Sequence, residues 1–474
     1  PGYAYSNLDG YGATLPPYFL YKVYWLLLGS VLLLIGFGLY RRGISSNAKE
    51  RLQNFKRTFT KPIAVACSLF LFGFVGLGGK IYYENNIREK RKTALEFEKE
   101  AVLWEKKYKK YENTQQPRIV EVNVNLEIYP ETRDFVAKGK YYLKNKSGQP
   151  IDTLIINYQK GTTYTSAEKW QKISIDTVLN FDILKLEKAL APGDSLLFEF
   201  TMKNKPNTIF NSDSPILYNG TFINNGMFPS FGYNDGGEIT DNDLRKKYNL
   251  PPKDRMPSPY DMKARQNTYI SSDSDWIRFQ ATIGTAGDQI AIAPGYLQKQ
   301  WKEKGRNYFH YKMDQKMLNF YAFNSGRYEV LRDKWKNVNI EIYYHKDHTY
   351  NLDRMVKGIK KALDYYSANF SPYQHKQVRI IEFPETSGGF AQSFANTIPF
   401  SEGLGFVADV DDTDENAVDY PFAITAHEVA HQWWAHQVIG ANVQGATVLS
   451  ESLSEYSSLK VLEHQYGKGQ MRKF

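Results

Sequence analysis

One cysteine, Cys67, stands among 474 residues, and it lies inside an apolar run. A single thiol excludes a disulfide framework and any cysteine-rich metal site. Histidine is sparse as well, at eight residues, so an imidazole cluster has few positions to draw on. No internal repeat is visible. Basic residues are missing from Pro1 to Tyr18, and glycine and proline are missing from Glu84 to Gln116. The formal net charge of +9 gathers mainly between Arg41 and Lys110, around two apolar runs. A surplus placed there points to a membrane surface and away from nucleic acid, which needs a basic face on a folded domain.

What is present fits a chain of two or three domains. Aromatic residues make up 15% of it, and many are tyrosines in segments that alternate like strands. Phe19 to Tyr40 and Pro62 to Tyr83 are each apolar over about the length that crosses a bilayer, with aromatic and lysine residues near their ends. Residues 1–83 therefore read as a membrane segment with two transmembrane helices, 19–40 and 62–83. The connecting stretch, Arg41 to Lys61, carries seven Lys/Arg against one acidic residue, which places that loop in the cytoplasm. Residues 84–116, charged with both signs, suit a solvated helical stalk. The chain opens at Pro1 and closes at Phe474 shortly after a helix-like segment, and it reads as a piece of a longer protein.

From residue 117 the pattern changes. Val120, Val122, Val124, Leu126 and Ile128 alternate with polar residues, as a half-buried strand requires. The alternation recurs at Phe198, Phe200 and Met202, so residues 117–331 read as a mostly antiparallel β-domain. Residues 332–474 read as α+β: a strand at Val338, Ile340, Ile342 and Tyr344 leads to a helix marked by Leu352, Met355, Val356, Ile359, Leu363, Tyr366 and Phe370.

Within AHEVAHQWWAH, Ala426 to His436, two histidines stand four apart. On a helix, one that Pro421 can open and that meets no breaker before Gly440, His427 and His431 share a face and can reach one ion. Glu428 follows the first of them and can take a proton from a water that zinc acidifies. A catalytic zinc commonly uses three protein ligands. Downstream, SESLSEYSS offers Glu451 as the third, with Glu455 one turn later placed to accept a hydrogen bond from a ligating imidazole. Other candidates are weaker: His345 and His348 in HKDH suit a hydrated turn better than a metal site, Asp409 to Asn416 suits a solvated loop, and Trp433 and Trp434 suit helix packing.

HEVAH followed by Glu451 resembles the gluzincin pattern of the M1 aminopeptidase family. That family usually separates the second histidine from the glutamate by about eighteen residues; here the gap, Gln432 to Ser450, is nineteen. Gly226 to Asn234 (GMFPSFGYN) resembles the family's FPCFDEP-like signature, and MLNFYAFNSGRYEV resembles the strand that closes its β-domain. The resemblance implies a saddle-like antiparallel β-domain followed by a thermolysin-like α+β catalytic domain, incomplete here at its C-terminus. It also implies a single zinc ion, a peptide substrate, and cleavage from the peptide's N-terminal end. GGFAQS, Gly388 to Ser393, stands where the family has GAMEN, so Gly388, Gly389, Phe390, Ala391 and Gln392 would line the peptide site. Gln392 falls at the glutamate that binds the substrate's α-amine, and a neutral amide gives up a charge-assisted contribution of about 1 kcal/mol. An endopeptidase is therefore a rival reading. The family's catalytic tyrosine lies farther downstream, and Tyr456 does not take its place. The apolar hairpin also resembles the last two spans of an ABC-2-type permease of the kind fused to M1-like domains. That resemblance implies the bacterial inner membrane, an extracytoplasmic peptidase domain, a bilayer partner and an ABC-transporter ATPase subunit, and it raises a second rival, a peptidase-like binding module.

Overall fold

The computed structural model describes residues 4–40, 47–206, 214–414 and 417–473. They form two compact bodies: one of Tyr11–Phe97 with Pro206–Asp213, the other of Pro1–Gly10, Glu98–Lys205 and Ser214–Phe474. Arg41 and Arg42 of the basic loop, and Glu415 and Asn416 of the acidic one, lie outside the described residues.

The first body is built on two apolar helices, Leu15–Leu39 and Lys61–Tyr82. Each has proline in its first turn, where the missing N–H would have had no intrahelical partner. Leu26, Leu33 and Phe72 are among the large apolar side chains left exposed, and a helix apolar on every side calls for lipid or another apolar surface. Both helices are long and apolar enough to cross a membrane. Where they meet, small residues let them approach: a Cβ on Gly73 would sit 3.3 Å from Leu27, and one on Gly78 would sit 3.1 Å from Tyr24. Tyr24 and Phe74 stack across the pair at 4.4 Å.

In the second body an eight-stranded sheet runs in the order Tyr296–Glu303, Arg306–Lys312, Trp276–Ala286, Arg118–Tyr129, Asp134–Lys144, Ser195–Asn204, Thr162–Ser166, with Met317–Leu318 on the side of Trp276–Ala286. Its pairs are antiparallel except Arg118–Tyr129 with Trp276–Ala286, which run parallel. Val122, Val124, Leu126 and Ile128 point into a core with Phe198, Phe200 and Met202, as their alternation requires. Val120 does not. A bulge between Ile119 and Glu121 shifts the phase, so Ile119 is buried and Val120 only half-buried. Bulges insert a residue without a sequence signature here.

The expected solvated stalk is partly buried. In helix Ala94–Tyr108 the side chains of Val102, Glu105 and Tyr108 are covered. Tyr108 stacks on Phe181 with centroids 3.9 Å apart and donates to Asp176 at 2.6 Å. Glu105 accepts both Nη groups of Arg245, at 2.6 and 2.9 Å. Counting charges of both signs hid a stripe at Val102, Glu105 and Tyr108 whose carboxylate has a buried partner.

A second core lies around the last sheet, ordered Glu329–Trp335, Val338–Tyr344, Gln377–Phe383, Thr397–Ser401. The first pair is antiparallel and the other two are parallel. Glu329–Trp335 spans Leu331, the expected boundary, because its partner is the strand that follows. Helix Leu352–Asn369 buries Leu352, Met355, Ile359, Leu363 and Tyr366 in this core. Phe370 closes the helix 40% exposed, not inside as its spacing suggests.

Candidate metal centre

The histidine motif sits on helix Tyr420–Ala430, whose first turn is capped by Asp419 accepting from the Phe422 amide at 3.1 Å. Ala423, Ala426, Val429 and Ala430 face the core, which turns His427 and His431 the other way. Regular helix ends at Ala430, well before Gly440. His431 is the C-cap, and turns carry the chain on through Gln437. Trp433 is buried and donates its indole N–H to the Ser371 carbonyl at 2.9 Å; Trp434 donates to Ser457 at 3.0 Å. Both tryptophans pack the fold, as expected.

Glu451 lies in a widened helical turn, Val448–Ser452, directly before helix Leu453–Tyr466. The structure brings it to both histidines. The two Nε2 atoms are 3.0 Å apart, and Glu451 Oε2 is 3.6 Å from His427 Nε2 and 3.7 Å from His431 Nε2. Ligands about 2.0–2.2 Å from a tetrahedral zinc stand about 3.3 Å from one another, and the three observed separations bracket that spacing. At that distance one ring nitrogen can donate to the other when it is protonated, and an ion bound by both lone pairs competes with that proton. The donor set, two nitrogens and one carboxylate oxygen, fits zinc.

The other ring nitrogens are held. His427 Nδ1 is 2.8 Å from Glu455 Oε2, and His431 Nδ1 is 3.1 Å from Ser454 Oγ and 3.3 Å from the Trp434 carbonyl. Hydrogen bonds on Nδ1 leave Nε2 for an ion. Burial opposes charge on His427, but the hydrogen bonds to Glu451 and Glu455 outweigh it and push its pKa up to about 10. Burial and the charge on His427 push His431 down to about 4. Glu428 is buried, its Oε2 has no hydrogen-bond partner, and burial pushes its carboxyl up to about 7.

Gly388 to Ser393 is mostly irregular and pairs with Thr397–Ser401 through one antiparallel bridge, Ala391 with Phe400. Gly388 has φ of 133°, open to glycine alone. Phe390 O accepts from the Ser401 amide and the Gln392 amide donates to Pro399 O, both at 3.0 Å. Ser393 Oγ donates to Glu428 O at 2.8 Å, tying this segment to the motif helix. Gln392 Oε1 is buried without a partner. Gly389 is exposed, Ala391 is half-buried and Phe390 is 37% exposed. Tyr456 is exposed.

Several contributors were not anticipated. Gln432 joins Ser393 Oγ, Phe394 O and the Asn396 amide through bonds of 2.7, 2.9 and 2.9 Å. Tyr269, far away in sequence, shares a 2.7 Å hydrogen bond with Ser450. The serines at 450 and 454, one turn apart beside Glu451 and Glu455, were the readable signal for a polar helix face; Tyr269 had none. Asp409 and Asp411 to Asp414 are exposed, as a solvated loop requires; Asp412 pairs with Arg354 at 2.5 Å, and Arg354 also meets Asp419, beyond that stretch, at 2.9 Å.

No protein-family model matches the chain, and no curated protein matches it. Among solved structures it is similar to an M1 zinc metallopeptidase from Deinococcus radiodurans, at 14% identity and a TM-score of 0.48 over 76% of this chain and 73% of that one. It is also similar to a two-domain M1 zinc metallopeptidase mutant bound to L-arginine, at 13% identity and a TM-score of 0.46 over 75% and 73%.

Proposed function

We propose that the chain carries a zinc-dependent metallopeptidase that removes residues from the N-terminal end of peptides. The supporting observation is the convergence of His427 Nε2, His431 Nε2 and Glu451 Oε2 within 3.0–3.7 Å. Bound zinc supplies a Lewis acid for the scissile carbonyl and acidifies a water toward neutral pH. Glu428, next to the first ligand and with Oε2 unpartnered, is the base that takes the water's proton and the acid that returns it to the leaving amine. Glu455 holds His427 in the tautomer that presents Nε2. Glu455→Ala is expected to weaken zinc binding by about 10–100-fold, read by chelator competition; unchanged affinity would remove Glu455 from the site.

Gly388, Gly389, Phe390, Ala391 and Gln392 are assigned to the peptide site through the link of Ser393 to the motif helix. Incubation of the full chain with a mixed peptide library, each peptide offered with a free and an acetylated N-terminus, tests the reading. Loss of single N-terminal residues from free forms alone supports an aminopeptidase. Internal cuts in both forms make it an endopeptidase, and zinc binding without cleavage makes it a binding module. Gln392→Glu is expected to raise the preference for free over acetylated peptides by about 5-fold, the equivalent of the charge-assisted contribution of about 1 kcal/mol.

On the same reading the two apolar helices anchor the protein in a bacterial inner membrane. The basic connecting loop then faces the cytoplasm and the peptidase domain lies outside. Where the hairpin continues a permease, an ABC-transporter ATPase is a partner.

A further inference from the structure

Glu451 reaches the two histidines from a stretch with little packing of its own. Its side chain is 60% exposed, and Thr447, Val448 and Leu449 before it are exposed as well. From Val438 to Gly445 the backbone that leads there from the motif helix is irregular. A ligand on such a stretch keeps its conformational freedom until the ion binds, and giving that freedom up weakens the binding. The turn that carries Glu451 therefore needs a hold from elsewhere.

The hold comes from the β-domain. Met256 to Tyr269, between helix Asn242–Lys247 and strand Trp276–Ala286, runs along this connection. The Tyr269 amide donates to the Gly440 carbonyl at 3.2 Å and the Asn442 amide to the Asn267 carbonyl at 2.8 Å. These are the two bonds of an antiparallel bridge between Thr268 and Ala441. Gln444 adds two more at 2.9 Å, from its amide to the Pro257 carbonyl and from its side-chain Nε2 to the Met256 carbonyl. The segment is itself pinned to the large sheet, because Arg118, the first residue of Arg118–Tyr129, donates to the Asn267 side chain and to the Ser272 carbonyl. Those bonds reach the connection as far as Gln444. The Tyr269 side chain goes farther, and its hydroxyl shares a 2.7 Å hydrogen bond with Ser450 Oγ. Ser450 is 1% exposed and adjoins Glu451, so the bond anchors the buried neighbour of an exposed ligand.

We propose that Tyr269 is a positioning residue of the metal centre, a role that rests on the zinc reading of His427, His431 and Glu451. Its hydroxyl fixes Ser450 and, through it, the turn that presents the Glu451 carboxylate to both Nε2 atoms. A tyrosine suits this task, since a rigid ring with two side-chain torsions carries the hydroxyl across the gap at low entropic cost. The β-domain thereby takes part in holding the ion.

Chelator competition on the full chain in detergent, with zinc chloride as the probe, tests the role. Tyr269→Phe keeps the ring and removes one oxygen, and zinc affinity is expected to fall about 10-fold, the lower end of what the partners of metal ligands contribute. Ser450→Ala is expected to do the same, and the two together no more than either alone, because they share one bond. In a Glu451→Ala background Tyr269→Phe is expected to leave the residual affinity unchanged, which a general loosening of the fold would not do. Parent-like affinity in Tyr269→Phe overturns the proposal and leaves the zinc site standing, as does a loss that persists without Glu451. A parent chain that binds no zinc removes the zinc reading itself, and the role of Tyr269 with it. If Tyr269→Phe does not fold, Ser450→Ala measured with and without Glu451 decides between the same outcomes.

Discussion

Replacing Glu428 by Gln is expected to lower kcat/KM for peptide cleavage by about 10²–10⁴-fold, the range that a positioned acid–base group contributes. Zinc content should stay as in the parent. The amide keeps nearly the same shape in a buried position, and none of His427, His431 and Glu451 is altered. The carboxylate's Oε2 has no protein partner, so its loss breaks no hydrogen bond that supports the fold. Metal analysis beside single-turnover kinetics checks both halves. Retained turnover with zinc present would sink the assignment of Glu428, and loss of zinc would mean that the residue shapes the ligands instead.

The second large effect concerns stability. Arg245 and Glu105 are 1% and 2% exposed and joined by two hydrogen bonds, and Arg245 also donates to the Ile239 and Pro251 carbonyls at 2.6 and 2.5 Å. Arg245→Met strands a buried carboxylate and should cost about 3 kcal/mol, since breaking a buried pair by removing one partner is far costlier than replacing both. Combining it with Glu105→Leu should restore much of the loss. Urea unfolding of the two variants gives the comparison. A single variant within 1 kcal/mol of the parent, by the usual yardstick for exposed pairs, would show that water reaches the pair.

These two sites differ in how legible they were. His427, Glu428 and His431 fall within five residues, so helical spacing alone aligns them, and Glu451 and Glu455 needed only a second helix close by. Glu105 and Arg245 lie 140 residues apart, and no local pattern announces that pairing. The strand phases of Val122 to Ile128 and of Phe198 to Met202 were readable because period-two alternation is local; the bulge at Ile119 was not, because any residue can be the inserted one. HKDH looked hydrated because its partners, Glu382 and Glu402, arrive from other strands. Gln432 and Tyr269 carried no local sign of the bonds they make.

The parallel pairing of Arg118–Tyr129 with Trp276–Ala286 has a consequence during synthesis. One edge of the earlier strand can be closed at once by Asp134–Lys144, but the other waits for a strand made about 150 residues later, or about 8–30 s at roughly 5–20 residues per second. Through that interval a long strand with apolar residues on one face shows unpaired backbone groups, the surface on which chains join edge to edge. The eight-stranded sheet must therefore be shielded while the ribosome is still working, and slower translation between codons 130 and 276 would lengthen the exposure.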